Sequence, residues 1–357
     1  AYEVKSLTHI SGGIIVNPDG YDSVLKTKKF QIVHAGHPIP NKKSVKAANK
    51  IIKLLKERKE NDLVIFLISG GGSSLVSLPD EITLYEKQIV TELLIKCGAS
   101  IEEINCVRKH LSKIKGGRIL ENLRCDAVSL VMSDVKDDDI TSIASGITYF
   151  DKTTFRDAEK VLKKYNLLQS VPGNVLKRIR YGIEKKIPET PKRPKIKNHI
   201  IATNKNCLHA MEKTSKTFGL TNKMVFPVSG DVKQIAKTLA MLIVKAKPNS
   251  CIIFGGEPIV KVKGKGKGGR NQELVLYILK EVQNVEQNII VASIGTDGKD
   301  GNTDACGAIL NNKIDLTDAK KFLQRNDSYH FIKKYKGLIF TGPTHTNLMD
   351  IGVLLKR

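Results

Sequence analysis

Tryptophan is absent from the 357 residues and aromatic side chains make up only 5% of them, so the platforms on which single-stranded nucleic acids stack their bases are sparse. Cysteine is scarce as well. The six (Cys97, Cys106, Cys125, Cys207, Cys251, Cys306) are scattered with no C-x-x-C pair, which argues against a zinc site or a disulfide framework and fits a reducing cytoplasm. No apolar run approaches the roughly 18 residues of a membrane-spanning helix; the longest, near residues 63–69, has the length of a buried strand. Ala1-Tyr2-Glu3-Val4-Lys5 lacks a charged stretch leading into an apolar one, so no secretory signal is expected in the sequence as it stands. G-x-x-x-x-G-K-[ST], the H-R-D and D-F-G set, H-E-x-x-H and G-x-S-x-G are all missing, which sets aside the familiar nucleotide and hydrolase signatures.

Acid is the other shortage. With 59 Lys+Arg against 36 Asp+Glu the formal charge is +23, and nucleic-acid binding has to be weighed. The excess is regional: residues 151–250 are strongly basic while 51–150 are near balance. Its densest part, residues 187–197, is Pro-rich and without apolar period, an exposed connector. Without aromatic partners the lysines read as a solvated surface, and no nucleic-acid partner is expected.

At 41% hydrophobic residues the chain can bury a sizeable core, and its length predicts two domains. Residues 44–57 place Val45, Ala48, Ile51, Ile52 and Leu55 on one helical face. A continuous apolar strand, 63–68, follows, as for a central parallel strand covered on both faces. Helical period resumes over 84–97 and 105–120, before a second buried strand at 127–132. Alternating strands and helices predict an α/β domain on a mainly parallel sheet. Beyond the connector, short strands near 199–203, 224–228, 251–254, 288–294 and 338–340 predict a second α/β domain. The division expected is 1–194 and 195–357.

Several strands end in loops of Gly, Ser, Thr and acidic residues, where open α/β sheets bind ligands. Ser69-Gly70-Gly71-Gly72-Ser73-Ser74 is the strongest, because three glycines let backbone amides approach an anion and the serines add hydroxyls. Residues 264–269 formally satisfy G-x-G-x-x-G, but the segment before them alternates with lysine, so a mobile basic loop closing over a polyphosphate or carboxylate is expected rather than a dinucleotide fingerprint. Asp297, Asp300 and Asp304 put three carboxylates in eight residues without a calcium-loop register; Mg²⁺ with phosphate oxygens suits them better. Asp134 and Asp137 to Asp139 form a second acidic cluster that could equally cap a helix. His34 and His37 are not expected to pair on a metal, since Pro38 interrupts any helix that would align them.

Taken in order, Ala35-Gly36-His37-Pro38, Ser69-Gly70-Gly71-Gly72-Ser73, Arg108-Lys109-His110-Leu111-Ser112 with Lys115-Gly116-Gly117, Ser133-Asp134-Val135, Gly255-Gly256-Glu257, residues 264–273, Gly295-Thr296-Asp297-Gly298 and Thr341-Gly342-Pro343-Thr344 resemble the class II glycerate kinases of the MOFRL family, archaeal glycerate 2-kinases among them, a family also labelled hydroxypyruvate reductase. The resemblance implies ATP- and Mg²⁺-dependent phosphorylation of D-glycerate to 2-phosphoglycerate. It implies two dissimilar three-layer α/β/α domains, the first with a Rossmann-like mainly parallel sheet and the second with a mixed one, the active site lying in the cleft between them. Under it Arg270 and Asp297 are the catalytic candidates. Ser69, Gly70, Gly71, Gly72, Ser73, Ser74, Lys267 and Asn271 are the candidates for nucleotide or phosphate, and His37, Arg108, Lys109 and Thr344 for substrate. Asp134 and Glu257 are those for metal, with Asp297 as a further choice. Family members begin with a strand ending in Gly-Lys-Ala, whose lysine is proposed to be catalytic; this sequence starts at Ala1-Tyr2, and the expectation is a chain supplied from just downstream of that lysine rather than an inactive protein. A cytoplasmic monomer or homodimer with no membrane partner is expected. The rival readings are an NAD(P)H-dependent reductase and a basic nucleic-acid binder.

Overall fold

A computed structural model describes residues 10–21 and 28–357; the stretch read for a leader lies outside them. The chain divides into two compact units, one running to Met132 and resuming over Asp138–Ile201, the other comprising Ser133–Asp137 and Ala202–Arg357. The sequence reading divides the chain at 194/195. The strand Lys197–Ala202 carries the first unit past that point, because it joins the first unit's sheet.

In the first unit, strands β1 (Gly13–Pro18) and β2 (Phe30–Ala35) pair in parallel. Helix α1 (Lys42–Lys56) begins at Asn41, whose side chain accepts from the amides of Lys43 and Ser44 while Ser44 Oγ returns the favour to the Asn41 amide. Strands β3 (Leu63–Ile68), β4 (Asp126–Met132) and β5 (Lys197–Ala202) form a second sheet in that order, β3 parallel to β4. Between β3 and β4 come the single turn α2 (Gly72–Leu75) and helices α3 (Leu84–Lys96) and α4 (Ile101–His110). The helix read over 105–120 stops at His110, since Gly116 and Gly117 take φ of 60° and 82° and divert the chain. Helices α5 (Phe155–Lys164) and α6 (Gly173–Ile183) complete the unit and pack on α3 and α4.

Val64 and Ile68 pack with Phe66 on Ala48, Ile51 and Leu55 of α1. Leu63 and Leu67, pointing the other way by the period of two, are 64% and 49% exposed. The sequence expectation was cover on both faces of β3; the described helices cover one.

The second unit is three-layered. Its strands are β6 (Thr221–Asp231), β7 (Ser250–Ile259), β8 (Ile289–Gly295), β9 (Gly307–Asn311), β10 (Leu338–Ile339) and β11 (Asp350–Lys356), in the sheet order β10-β9-β8-β11-β7-β6. Only β6 and β7 run parallel, so the sheet is mixed. Alternation splits β7 between two cores. Ile252 and Phe254 face helices α8 (Val232–Lys245) and α9 (Arg270–Val282), whereas Cys251 and Ile253 face Leu208 and Met211 of α7 (Asn204–Thr217). Short helices α10 (Ala319–Gln324) and α11 (Ser328–Lys334) lie beyond α9. Among the described residues no helix is long and apolar enough to cross a membrane.

Candidate active site

The register of the second sheet decides what meets at its end. Asp350, the first residue of β11, lies opposite Gly256 of β7 on one side and Gly295 of β8 on the other. Two loops named in the sequence therefore converge on one acid that the sequence reading passed over.

Arg270, the first residue of α9, reaches that acid. Its Nη2 donates to Asp350 Oδ1 at 3.0 Å and to Glu257 Oε1 at 3.0 Å, and its Nε stands 2.6 Å from Asp350 Oδ2. The second Asp350 oxygen has no hydrogen bond of good direction, so this last contact is an ion pair rather than a hydrogen bond. Burial opposes the Arg270 charge, but Asp350 and then Glu257 outweigh it and hold the guanidinium above its ordinary pKa. Burial likewise pushes the Asp350 carboxyl up to about 6 against the pull of Arg270; both groups are ionised at neutral pH.

What fixes Arg270 is the start of its helix. Gly269 has no capping side chain. Asp300 takes that place, accepting from the amides of Asn271 at 3.1 Å and Gln272 at 2.9 Å, the role an N-cap residue ordinarily plays. A Cβ on Gly269 would stand 2.2 Å from Asp300 Cγ, which is why glycine occupies the position. Asn271 is consumed by this frame: Nδ2 donates to Asp300 and Oδ1 accepts from Ser293. Both ends of the Asn271 side chain, a candidate for phosphate, are thus engaged in the frame of the helix start.

Glu257, Arg270, Lys136, Ser229, Gly256 and Met349 line part of a cavity of about 170 Å³ in this unit. Asp134 belongs to the same unit and feels Glu257. Burial, assisted by that neighbouring charge, raises its carboxyl to about 6. Asp297 sits where Gly295 leaves room: a Cβ there would stand 3.0 Å from Asp297 Oδ1 and 3.5 Å from Asp350 Oδ1. Thr344 Oγ1 donates to the Thr296 carbonyl at 2.5 Å and its amide to the Asp297 carbonyl at 3.3 Å, so it braces the Asp297 turn.

The glycine-rich segment 264–269 is tied down. The amides of Lys263 and Gly264 donate to Asn326 Oδ1, that of Gly266 to the Arg325 carbonyl, that of Lys267 to Asp327 Oδ1 and that of Gly268 to Asn302 Oδ1. The mobile phosphate loop expected here is corrected on that ground: amides already bonded to protein are not offered to an anion, and Cβ atoms at Gly264, Gly266 and Gly268 would collide with residues 325–328. Lys267 is likewise engaged, its Nζ 3.0 Å from Asp304 and 3.9 Å from the centre of the Tyr329 ring.

In the first unit Gly71 takes φ of 77° with the His37 ring against it, and Gly72 abuts Ala144. Ser73 Oγ shares a hydrogen bond with Ser145 Oγ at 2.7 Å, and Ser74 Oγ turns back to the Gly71 carbonyl. Ala144 and Ser145, which face this loop, are non-glycine residues at φ of 50° and 56°, a strain that other contacts must sustain. One such contact is Lys115, whose Nζ donates to the carbonyls of Gly72 and Ala144. Ser69 is exposed at the head of the loop and Gly70 half-buried. Lys109, a candidate for substrate, is buried in an ion pair with Asp151 at 3.4 Å.

Residues 1–180 match the family described as a domain of unknown function, DUF4147, and residues 250–350 match the MOFRL family. Glycerate 2-kinase of Pyrococcus horikoshii is 36% identical over 99% of this chain and 84% of its own length. The chain belongs to the MOFRL family of class II glycerate kinases. D-glycerate 2-kinase of Thermotoga maritima is 38% identical over 98% of this chain and 85% of its own. The crystal structure of glycerate kinase from Thermotoga maritima shares the fold with a TM-score of 0.87 at 37% identity, covering 98% of this chain and 86% of that one. Within this MOFRL member, sequence reasoning missed Asp350, which holds Arg270 in the second unit, and Lys115, which holds the glycine turn in the first. Lys115 stands in a quoted motif and could have been weighed; a lone Asp before an apolar run carries no signal.

Proposed function

We propose that the chain is a glycerate 2-kinase, transferring the γ-phosphoryl group of ATP to the 2-hydroxyl of D-glycerate, in the cytoplasm, where its six cysteines stay free. The observation that carries the reading is Arg270, cationic, held by Glu257 and Asp350 beside a cavity, in a chain related over nearly its whole length to glycerate 2-kinases. A loose phosphoryl-transfer transition state asks for positioning and for neutralisation of charge on the phosphoryl oxygens. Arg270 supplies the charge. The substrate oxygen bonds to phosphorus as the bond to the ADP oxygen breaks, and the hydroxyl proton passes to a carboxylate, for which Asp297 is the candidate. Thr344 keeps the Asp297 turn in place.

Asp134 and Glu257 are the residues that would hold Mg²⁺. Among the described residues no group of three or more His, Cys, Asp or Glu side chains is arranged for a metal, which fits an ion that takes one or two carboxylates and completes its shell with water and phosphate. When bound, the ion would neutralise phosphate charge. In the first unit, residues 69–74, His37 and Arg108 are proposed to contact nucleotide or substrate. The reductase reading loses its motif, because the amides of Gly264, Gly266, Lys267 and Gly268 are occupied and the segment follows no buried strand end.

The test is an assay of D-glycerate, ATP and Mg²⁺ for 2-phosphoglycerate, with NADH oxidation on hydroxypyruvate alongside. Arg270→Ala is expected to lower kcat by about 10³-fold, the scale of losing a charge-stabilising group, with thermal unfolding still cooperative. A near-normal rate rejects the role of Arg270, and hydroxypyruvate reduction without phosphoglycerate rejects the kinase.

A further inference from the structure

The first unit gathers cations that no acid among the described residues matches. Lys87 of α3 is 3% exposed and Lys115 1% exposed. Lys87 Nζ has a hydroxyl, Ser77 Oγ, at 3.2 Å, and Lys115 has only two carbonyls. Arg108 of α4 makes no hydrogen bond or ion pair among the described residues. The three are close enough to repel: beyond burial, Arg108 acts on Lys87, and both Lys87 and Arg108 act on Lys115, while no carboxylate among the described residues acts on any of them. Nearby acids are committed elsewhere, Asp151 to Lys109, Thr153 and Thr190, and Asp80 and Glu81 to Arg178. Burying ammonium groups without a counter-charge costs several kcal/mol, and burial accordingly lowers the pKa of both lysines, that of Lys115 well below its ordinary value; an anion arriving from outside would restore the missing counter-charge.

A second observation points the same way. Asn105, one turn before Arg108 on α4 and 3% exposed, has an Nδ2 with no partner. Its Oδ1 accepts from Ser145 Oγ at 2.9 Å, and Ser145 Oγ meets Ser73 Oγ. An amide whose acceptor is used and whose donors are idle is a donor waiting for an oxygen. The cluster thus presents donors at Arg108, Lys87 and Asn105 Nδ2; the Ser73 proton is spent on Ser145 Oγ, whose own goes to Asn105 Oδ1.

We infer that Arg108, Lys87 and Asn105 form a binding site for an oxyanion, a carboxylate or phosphoryl group, beside the glycine turn at residues 70–73, with Lys115 as the pin that holds the turn. That an anion fills it stands on these residues alone; that the anion belongs to glycerate or ATP rests on the kinase reading. Burial leaves Lys87 at a pKa of about 7 in the free protein. Arg108 from α4 and Lys115 from the turn after it face Lys87, and His37 borders the loop. An incoming anion stabilises the charged lysine, so binding takes up a proton above neutral pH, and affinity falls as the pH rises.

The experiment is calorimetric titration of the full chain with inorganic phosphate, with D-glycerate and with metal-free ATP, each in two buffers of different ionisation enthalpy at pH 8. Proton uptake with phosphate or ATP assigns the phosphoryl source, and with D-glycerate alone the carboxylate. Arg108→Gln, which breaks no bond seen in the structure, is expected to weaken that binding by at least about tenfold, and Lys87→Met to abolish the proton uptake. Binding equal in wild type and both variants, or no binding of any of the three, overturns the site. The kinase assay separates the two readings. Phosphorylation with both KM values unchanged in Arg108→Gln sinks this site and leaves the kinase standing. Arg108-dependent phosphate binding in a chain that makes no phosphoglycerate leaves the site and sinks the kinase.

Discussion

Replacing Asp350 by Asn keeps the size of the side chain and removes its charge, and the structure separates what that does to folding from what it does to turnover. On the folding side, the wild-type carboxyl is driven from 3.8 to about 6, which at neutral pH corresponds to roughly 3 kcal/mol spent keeping a buried acid ionised. That figure is already net of the pull of Arg270, so the amide relieves it with no further contact to subtract. Arg270 is 37% exposed and keeps Glu257, so it is not left buried without a partner. Stability at neutral pH is expected to hold or to rise by up to about 3 kcal/mol. On the catalytic side, the guanidinium loses the partner that fixes its direction. A group swinging on one anchor misplaces its charge by about an ångström, a displacement that costs on the order of 10²-fold in kcat. The assay pairs steady-state kinetics with thermal unfolding. A kcat within twofold of wild type would refute the view that Asp350 aims Arg270, and a large loss of stability would refute the account of why the acid is tolerated there.

Gly269→Ala is expected to push Asp300 off the first amides of α9, costing about 1–2 kcal/mol as a lost helix cap and lowering kcat because Arg270 opens that helix; calorimetry and kinetics together check both. The rate should also fall as the pH drops through about 6, where Asp134 and Asp350 take up protons. Both carboxyls have folded pKa values above the unfolded 3.8, so protonation between about 6 and 4 stabilises the folded state through these two groups. The acid loss of activity should therefore appear in the pH–rate profile without unfolding by circular dichroism, and unfolding over the same window would contradict it.

Legibility in the sequence followed local density of signal. Parallel strands such as β3 and β4 announce themselves as apolar runs, although one face of β3 is exposed, and Arg270, Glu257 and Asp297 stood out because each has a neighbouring glycine. Cross-chain pairing was not visible. Nothing in residues 350–356 says that β11 slots between β7 and β8, pairs separated by 55 to 106 residues, so the acid at its start carried no mark. Lys109 and Lys115 look alike in sequence; one meets Asp151 and the other only carbonyls, a difference made by helices that pack from elsewhere. Glycines at 264–269 were read for anion contact, whereas their smoothness serves residues 325–328.

The place of β11 in its sheet also bears on how the protein is born. A ribosome delivers β6 to β10 first, yet the middle of the sheet stays open until residues 350–356 emerge and insert. The carboxylate that aims Arg270 arrives with that closing strand, so a nascent chain has no competent guanidinium before its second unit has zipped shut.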